Sequence, residues 1–327
     1  MRFQVKVLLL NPENRGYPTD YLLARIAGKR AHLIMDWKAL VMGAIPPGHI
    51  SPHLYSGLPL EDSPDTAWRW LEREYRWVYL QMNEMLRALF IPFFVYSELR
   101  TLFACLRLIQ NGRRGGAIDN ALASSLLSEK VRAIFKTAKD IPAATGSVEN
   151  LFSSFSSTFK GLAKIAEGEG LRGFESELTK RYLAYAVRSG LHPVIKASFV
   201  RIIDARNVMS VYKYLRLDEK SLPPFNAGGR LPCSHYKDIA ARRDFAGLIS
   251  VIRRLAGIRL EKPDATNVET SLYRMITKFL KKEGRKPLEI GMILDYLWRC
   301  SLQAMNLSML FHCKDLAREE IMAELVR

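Results

Sequence analysis

The chain has 327 residues, long enough for two or three domains with substantial cores, and its 48% hydrophobic and 25% charged content is that of a folded protein rather than a disordered or fibrous one. Forty-nine Lys and Arg against 33 Asp and Glu leave a net charge of +16, a field that favours acidic partners (nucleic acid, anionic lipid or an acidic protein surface) without choosing among them. The longest apolar runs, residues 7–10 and 89–96, fall far short of the ~18 residues that cross a bilayer, and the N-terminal run is too brief for a signal peptide, so a cytoplasmic protein is expected.

In chain order, residues 21–35 read as a basic helix, with Leu22, Leu23, Ile26, Leu33 and Ile34 apolar and Arg25, Lys29 and Arg30 charged. Residues 45–64 form a connection punctuated by Pro and Gly. Its His49 and His53 have no carboxylate between them and too few neighbours to make a metal site. Residues 67–89 read as a helix dense in Trp68, Trp70, Tyr75, Trp77 and Tyr79 that ends before Pro92, with the next helix starting near Ser97 as N-cap. Further helices are expected over 148–167, 174–189, 193–217, 244–257, 271–282, 288–312 and 318–326, with a break at 223–229 and a basic turn at 281–287. Alternating strand patterns are nearly absent, so the class is all-α.

One segment recurs three times, about a hundred residues apart, a period too long for a solenoid unit. The copies begin at Glu98, Asn207 and Asn306 and end at Arg107, Arg216 and Lys314. Behind the leading polar residue come Leu99, Leu102, Phe103 and Leu106 in the first, Val208, Val211, Tyr212 and Leu215 in the second, and Leu307, Leu310 and Phe311 in the third. These positions make one stripe of a helix. Paired glycines, Gly115-Gly116 and Gly228-Gly229, follow the first two copies, as expected where a chain leaves a helix and turns back. Each pair leads into another helix-like stretch, 122–135 and 235–248, and the third copy is followed by 315–326 without a glycine pair. The pattern divides the chain into three related helical bundles, 1–115, 116–228 and 229–327, and points to a scaffold rather than an enzyme.

Chemical motifs are sparse. Gly168-Glu169-Gly170-Leu171-Arg172-Gly173 fits the dinucleotide-loop expression but follows a helical stretch instead of a strand, so it reads as an inter-helix turn. The sequence contains no Walker-type phosphate loop and no local nucleophile signature. Asp204 and Asn207 resemble an acid and amide pair, but near a helix entry a cap or an interhelical hydrogen bond is the stronger reading. Cys105, Cys233, Cys300 and Cys313 have neither redox nor zinc spacing and read as reduced thiols. No catalytic, cofactor-binding or metal-binding residue is expected. Interface candidates are Arg113, Arg114 and Arg230 beside the glycine pairs and Lys281, Lys282, Arg285 and Lys286 in the basic turn, with Glu98, Asp204, Asn207 and Asn306 as structural repeat positions.

With the repeats in view, the chain resembles the C subunit of V/A-type rotary ATPases, called subunit d in the eukaryotic vacuolar enzyme. The resemblance is carried by the opening helix from Tyr21 to Arg30, by Asp204-Ala205-Arg206-Asn207-Val208-Met209-Ser210, by Asn226-Ala227-Gly228-Gly229-Arg230-Leu231, and by the run from Met305 to Lys314 followed by Glu319-Glu320-Ile321. Copy one departs from the pattern, with Val95 and Glu98 where the family offers Asp and Asn. The resemblance implies a funnel-shaped, non-catalytic rotor adaptor: three helical domains about a pseudo-threefold axis, seated on the cytoplasmic mouth of the membrane rotor ring and receiving the central stalk. It further implies a surface close to the membrane, no cofactor, no small-molecule substrate and no specific nucleic acid. The alternative suggested by charge alone is a basic helical nucleic-acid-binding protein. That class calls for cations concentrated on one recognition helix or interleaved with exposed aromatics, whereas here the cations spread over many segments.

Overall fold

The computed structural model describes residues 7–43, 64–217, 219, 221–260, 263–287, 289–313 and 316–326. Among these residues the fold is all-α, with no strand ladder and two isolated bridges, Leu9 with Leu127 and Tyr17 with Met82. The chain forms two compact units. One comprises Met1–Tyr17, Arg76–Phe199 and Asn226–Gly228, and the other Pro18–Tyr75, Val200–Phe225 and Gly229–Arg327.

The first unit is built on α4. Helices α1 (Thr19–Ala31), α2 (Trp37–Val41) and α3 (Pro64–Gln81) precede it, and α4 spans Glu84–Gln110. The helix expected over 67–89 therefore stops at Gln81. Asn83 opens α4 instead, its side chain accepting from the Leu86 N–H at 2.9 Å. Pro92, expected to end a helix, lies inside α4, and Ser97, expected as a cap, sits in mid-helix with its hydroxyl on the Phe94 carbonyl. The cost of an interior proline is about 3 kcal/mol. Here Phe90, Ile91, Pro92, Phe93, Phe94 and Val95 are all buried, and burial on that scale outweighs it. Phe94 meets Tyr79 edge-on at 5.1 Å, and the buried Tyr182 hydroxyl donates to the Pro92 carbonyl at 2.8 Å. By length and hydropathy α4 could cross a membrane, but 67% of its most apolar window is buried within the protein, which makes it a core helix.

Around α4 lie α5 (Gly116–Leu122), α6 (Glu129–Thr137), α7 (Ile141–Ser153) and α8 (Leu162–Arg188). The stretch expected to be helical over 122–135 splits because its middle pairs with the N-terminal segment: Leu10 N–H donates to Leu126 O, and Ser128 N–H to Leu8 O. The helix expected over 148–167 begins earlier and is broken in the middle: Asp140 caps α7 through the Ala143 N–H, Pro142 occupies the first turn, where proline is tolerated, α7 ends at Ser153, and α8 starts only at Leu162. The glycine hexad falls inside α8 as a kink, with Gly170 at φ 72°, so two helical segments join there without an intervening loop.

The second unit holds α1, α2, most of α9 (Pro193–Arg216), α10 (Cys233–Ala241), α11 (Phe245–Ala256), α12 (Ala265–Glu283), α13 (Gly291–His312) and α14 (Arg318–Glu324). The stretch expected over 235–248 is divided by Arg243, at φ 52°, and by Asp244, which caps α11 through the Gly247 N–H. α12 starts earlier than its apolar pattern, at the Asp264 cap. α13 is the counterpart of α4 as the central element. Trp68 donates from its indole to the Ser308 hydroxyl at 3.1 Å, and Tyr75 donates to the Leu297 carbonyl at 3.1 Å, which lays the start of α3 along it.

Candidate functional site

The polar residue that opens each repeat lies on α4, α9 or α13, and all three positions are buried. Glu98, 6% exposed, accepts from the Ser125 hydroxyl at 2.6 Å and from the Leu126 N–H at 2.7 Å. Burial raises its carboxyl pKa above the ordinary value, and the Ser125 and Leu126 donors pull it partway back. Ser125 is in turn fixed, its hydroxyl accepting from Leu127 N–H and its carbonyl from the guanidinium groups of Arg76 and Arg132. The segment that receives the N-terminal chain is thereby held to α4.

On α9, Asp204 is wholly buried. It accepts from the Arg230 N–H at 2.9 Å and from Arg230 Nε at 2.8 Å, while the Tyr236 hydroxyl reaches the same carboxylate at 3.4 Å. Burial and that neighbouring carboxylate hold the Tyr236 phenol in its protonated form. Gly229 makes the approach possible, since a Cβ there would lie 2.4 Å from Asp204 Oδ1. The Arg230 guanidinium also reaches Leu255 O and Met275 Sδ. One turn along, Asn207 is fully buried.

On α13, Asn306 donates to Val326 O at 2.9 Å and accepts from Val326 N–H at 3.1 Å, the pairing of a strand made by a side chain. Gln303, one turn earlier and at the register of Asp204, accepts from Ile34 N–H, and its buried Nε2 meets no partner among the described residues. Each repeat helix thus carries a buried polar side chain that grips the main chain 20 to 28 residues further on.

A second set of anchors was not legible as such in the sequence. The two cations that end α1 each find a carboxylate: Lys29 Nζ lies 2.7 Å from Glu74 on α3, and the Arg30 guanidinium lies 3.1 Å from the wholly buried Asp295 on α13 and donates to Gly284 O. Glu74 also accepts from Tyr296 at 2.7 Å, and Asp295 from Arg299. The signal was Asp295 itself, a lone charge within Ile293-Leu294-Asp295-Tyr296-Leu297, since buried carboxylates are found paired. Beside it the Cys300 thiol is pushed well up by burial, which makes it an inert core group. Among the described residues no three His, Cys, Asp or Glu side chains come together as metal ligands. His49, His53 and the connection around them, and Lys314 at the end of the third repeat, lie outside the described residues.

This helical architecture, with anchors at D-x-x-N and its counterparts, is accompanied by a match of residues 60–324 to the sequence profile of the ATP synthase (C/AC39) subunit family. The chain belongs to that family. A comparison with curated proteins returns no match. The AC39 family is a structural component of V/A-type ATPases, so the chain is a peripheral subunit of a membrane-associated ATPase complex.

The basic positions singled out in this AC39 subunit have unequal surroundings. Arg230 is committed to Asp204, its side chain 35% exposed. Arg113 and Arg114, in the first unit, are exposed, and Arg114 donates to the carbonyls of Ala138 and Lys139 at the end of α6. Lys286 pairs with Glu283 at 2.7 Å. Lys281, Lys282 and Arg285 are exposed at the end of α12 without an ion pair among the described residues.

Proposed function

We propose that this subunit is the central rotor adaptor of a V/A-type ATPase, coupling the central stalk to the membrane rotor ring during ATP-driven ion transport or ATP synthesis. It works on the cytoplasmic face and contributes no catalytic group. The observation that carries the reading is the repeated anchor: three long helices, each with a buried polar side chain gripping a distant stretch of main chain. A part that passes torque must not store it as twist, and close-packed helices cross-tied by buried hydrogen bonds resist shear better than apolar contact alone. The division into three related bundles at 115 and 228 belongs to the same proposal. So do the contacts with ring and stalk through Arg113, Arg114, Arg230, Lys281, Lys282, Arg285 and Lys286.

The test is affinity purification of the tagged chain from detergent-solubilised membranes of its own cells. Ring and central-stalk polypeptides are expected with it in fixed ratio, while the isolated chain shows no saturable ATP binding by calorimetry. A chain that leaves the membranes alone, and binds one DNA sequence specifically at 200 mM salt, where purely electrostatic binding by a +16 protein has collapsed, overturns the reading.

A further inference from the structure

Helix α12 carries more charge than its own stability asks for. Arg274, Lys278, Lys281, Lys282 and Arg285 are all exposed, and none has an ion pair or hydrogen-bonded side-chain partner among the described residues. At 100° per residue the five fall within an arc about 100° wide, and from first to last they run about 16 Å along the axis. Arg285 follows the helix proper in the turn that closes it, where its N–H donates to Lys282 O. Lys281 and Lys282 in the last turn complement the helix dipole, which accounts for them but not for Arg274 or Lys278.

An ordinary solvated helix places an acid three or four residues before each cation. Here the pairs 274/278, 278/282 and 281/285 are like charges at i,i+4, an arrangement that destabilises an isolated helix. The nearby acids are already engaged: Glu283 is buried against Lys286, and Glu269 accepts from the Tyr273 hydroxyl. The result is a narrow cationic rail, uncompensated within its own unit.

We infer that this rail is a docking surface for an acidic protein segment, a partner helix or extended stretch presenting a carboxylate about once per turn over three turns. The inference rests on the reading that the chain works inside a multi-subunit assembly. Charge complementarity selects the occupant. A second copy of this chain, itself at +16, is repelled. A helix that lies on lipid presents bulky apolar residues beside its cations, whereas the exposed large hydrophobic residues (Val7, Tyr21, Met35, Met42, Met85, Leu217, Leu222 and Leu316) are all off α12. A line of fixed, evenly spaced cations on a rigid helix fits a partner with equally fixed spacing, the geometry of paired helix faces.

The experiment uses the full chain and a fluorescein-labelled, Ala-based helical peptide with Glu at i, i+4, i+7 and i+11, read by anisotropy at 100 mM salt. One variant replaces the rail (Arg274→Gln, Lys278→Gln, Lys281→Gln, Lys282→Gln, Arg285→Gln). A control removes five exposed cations elsewhere (Lys130→Gln, Lys139→Gln, Lys160→Gln, Lys164→Gln, Arg172→Gln), so that net charge falls equally. Unchanged circular dichroism and melting confirm that both are folded. The rail variant is expected to weaken peptide binding by about tenfold or more and the control by less than about twofold. Equal loss in both, or no peptide binding by the unsubstituted chain, overturns the inference. So does a rail dependence steeper for phosphatidylserine vesicles or duplex DNA than for the peptide. Purification of the unsubstituted chain with ring and stalk separates the two readings: absence of peptide binding by that chain, with intact co-purification, removes the rail and leaves the rotor adaptor standing.

Discussion

Gly115-Gly116 and Gly228-Gly229 repeat the same pair behind helices of the same apolar pattern, and in both the first glycine takes a positive φ, 58° and 101°. The second glycines differ. A Cβ on Gly229 would meet the Asp204 carboxylate at 2.4 Å, whereas a Cβ on Gly116 would meet nothing within 4 Å. The carboxylates these regions depend on differ in the same way. Asp204 is met by a guanidinium, while Glu98 is met directly by a hydroxyl and a main-chain N–H. A shared motif can therefore preserve a turn while the energetics behind it are rebuilt. In one copy the turn delivers a cation to a buried anion, and in the other it reverses the chain and brings Arg114 to main-chain carbonyls instead.

The largest effects are expected where charge is buried. Arg230→Met leaves the wholly buried Asp204 with a main-chain donor and the Tyr236 hydroxyl but without the guanidinium hydrogen-bonded to it, with Arg201 still acting through its charge, and removing one partner of a buried pair costs about 3–5 kcal/mol. Because the Arg230 head is about one-third exposed, water can reach the site and the lower end, about 3 kcal/mol, is expected. At the same site Gly229→Ala should cost about 2 kcal/mol by driving the carboxylate off its donors. Urea denaturation measures both. If each costs under 1 kcal/mol, the Asp204 site is no better tied than the Glu98 site and the contrast fails.

The part of this arrangement legible in the sequence is the part set by local periodicity. Leu99, Leu102, Leu106, Val208, Val211 and Leu307 are buried as their helical spacing requires, and both glycine pairs sit at turns. The spacing could not show which distant segment each buried polar residue grips, because Glu98 to Leu126 and Asn306 to Val326 are tertiary choices. The partners of Lys29 and Arg30 are tertiary choices for the same reason, since their carboxylates lie on α3 and α13. Pro92 reads as a helix end because it is a local breaker, and only the burial around it in the fold overrules that. Asn83, by contrast, carries a cap signal that is itself local.

Glu98→Gln sharpens the comparison from the other side. The amide oxygen can keep the Leu126 N–H, and the amide nitrogen can donate to the Ser125 hydroxyl, which has a second lone pair beside the one given to Leu127. Losing the charge relieves its desolvation, so the change at neutral pH should stay under about 1 kcal/mol. Its pH dependence follows from the raised carboxyl pKa. The folded state holds the Glu98 proton more tightly than the unfolded state, so a stability penalty present at neutral pH fades as pH falls through the raised value toward the ordinary 4.5. The native chain should therefore gain stability relative to Glu98→Gln over that interval. A relative loss on acidification would mean that the carboxylate is stabilised in the fold.

The smallest effect carries the opposite sign. Gly116 is the first residue of α5, is exposed, has no positive φ, and would put a methyl group into open space. Alanine there narrows the unfolded ensemble and suits the first helical turn, so Gly116→Ala should stabilise by about 0.5 kcal/mol, a small upward shift in melting temperature. Gly115→Ala, next to it, should destabilise by about 1–3 kcal/mol because φ 58° with ψ −119° lies outside the left-handed helical well in a region that favours glycine, with no clash to add. The sign at the second position is what separates the two turns. If Gly116→Ala destabilises as much as Gly229→Ala, the first turn also holds its second glycine for close approach, and the two copies have kept a common mechanism as well as a common sequence.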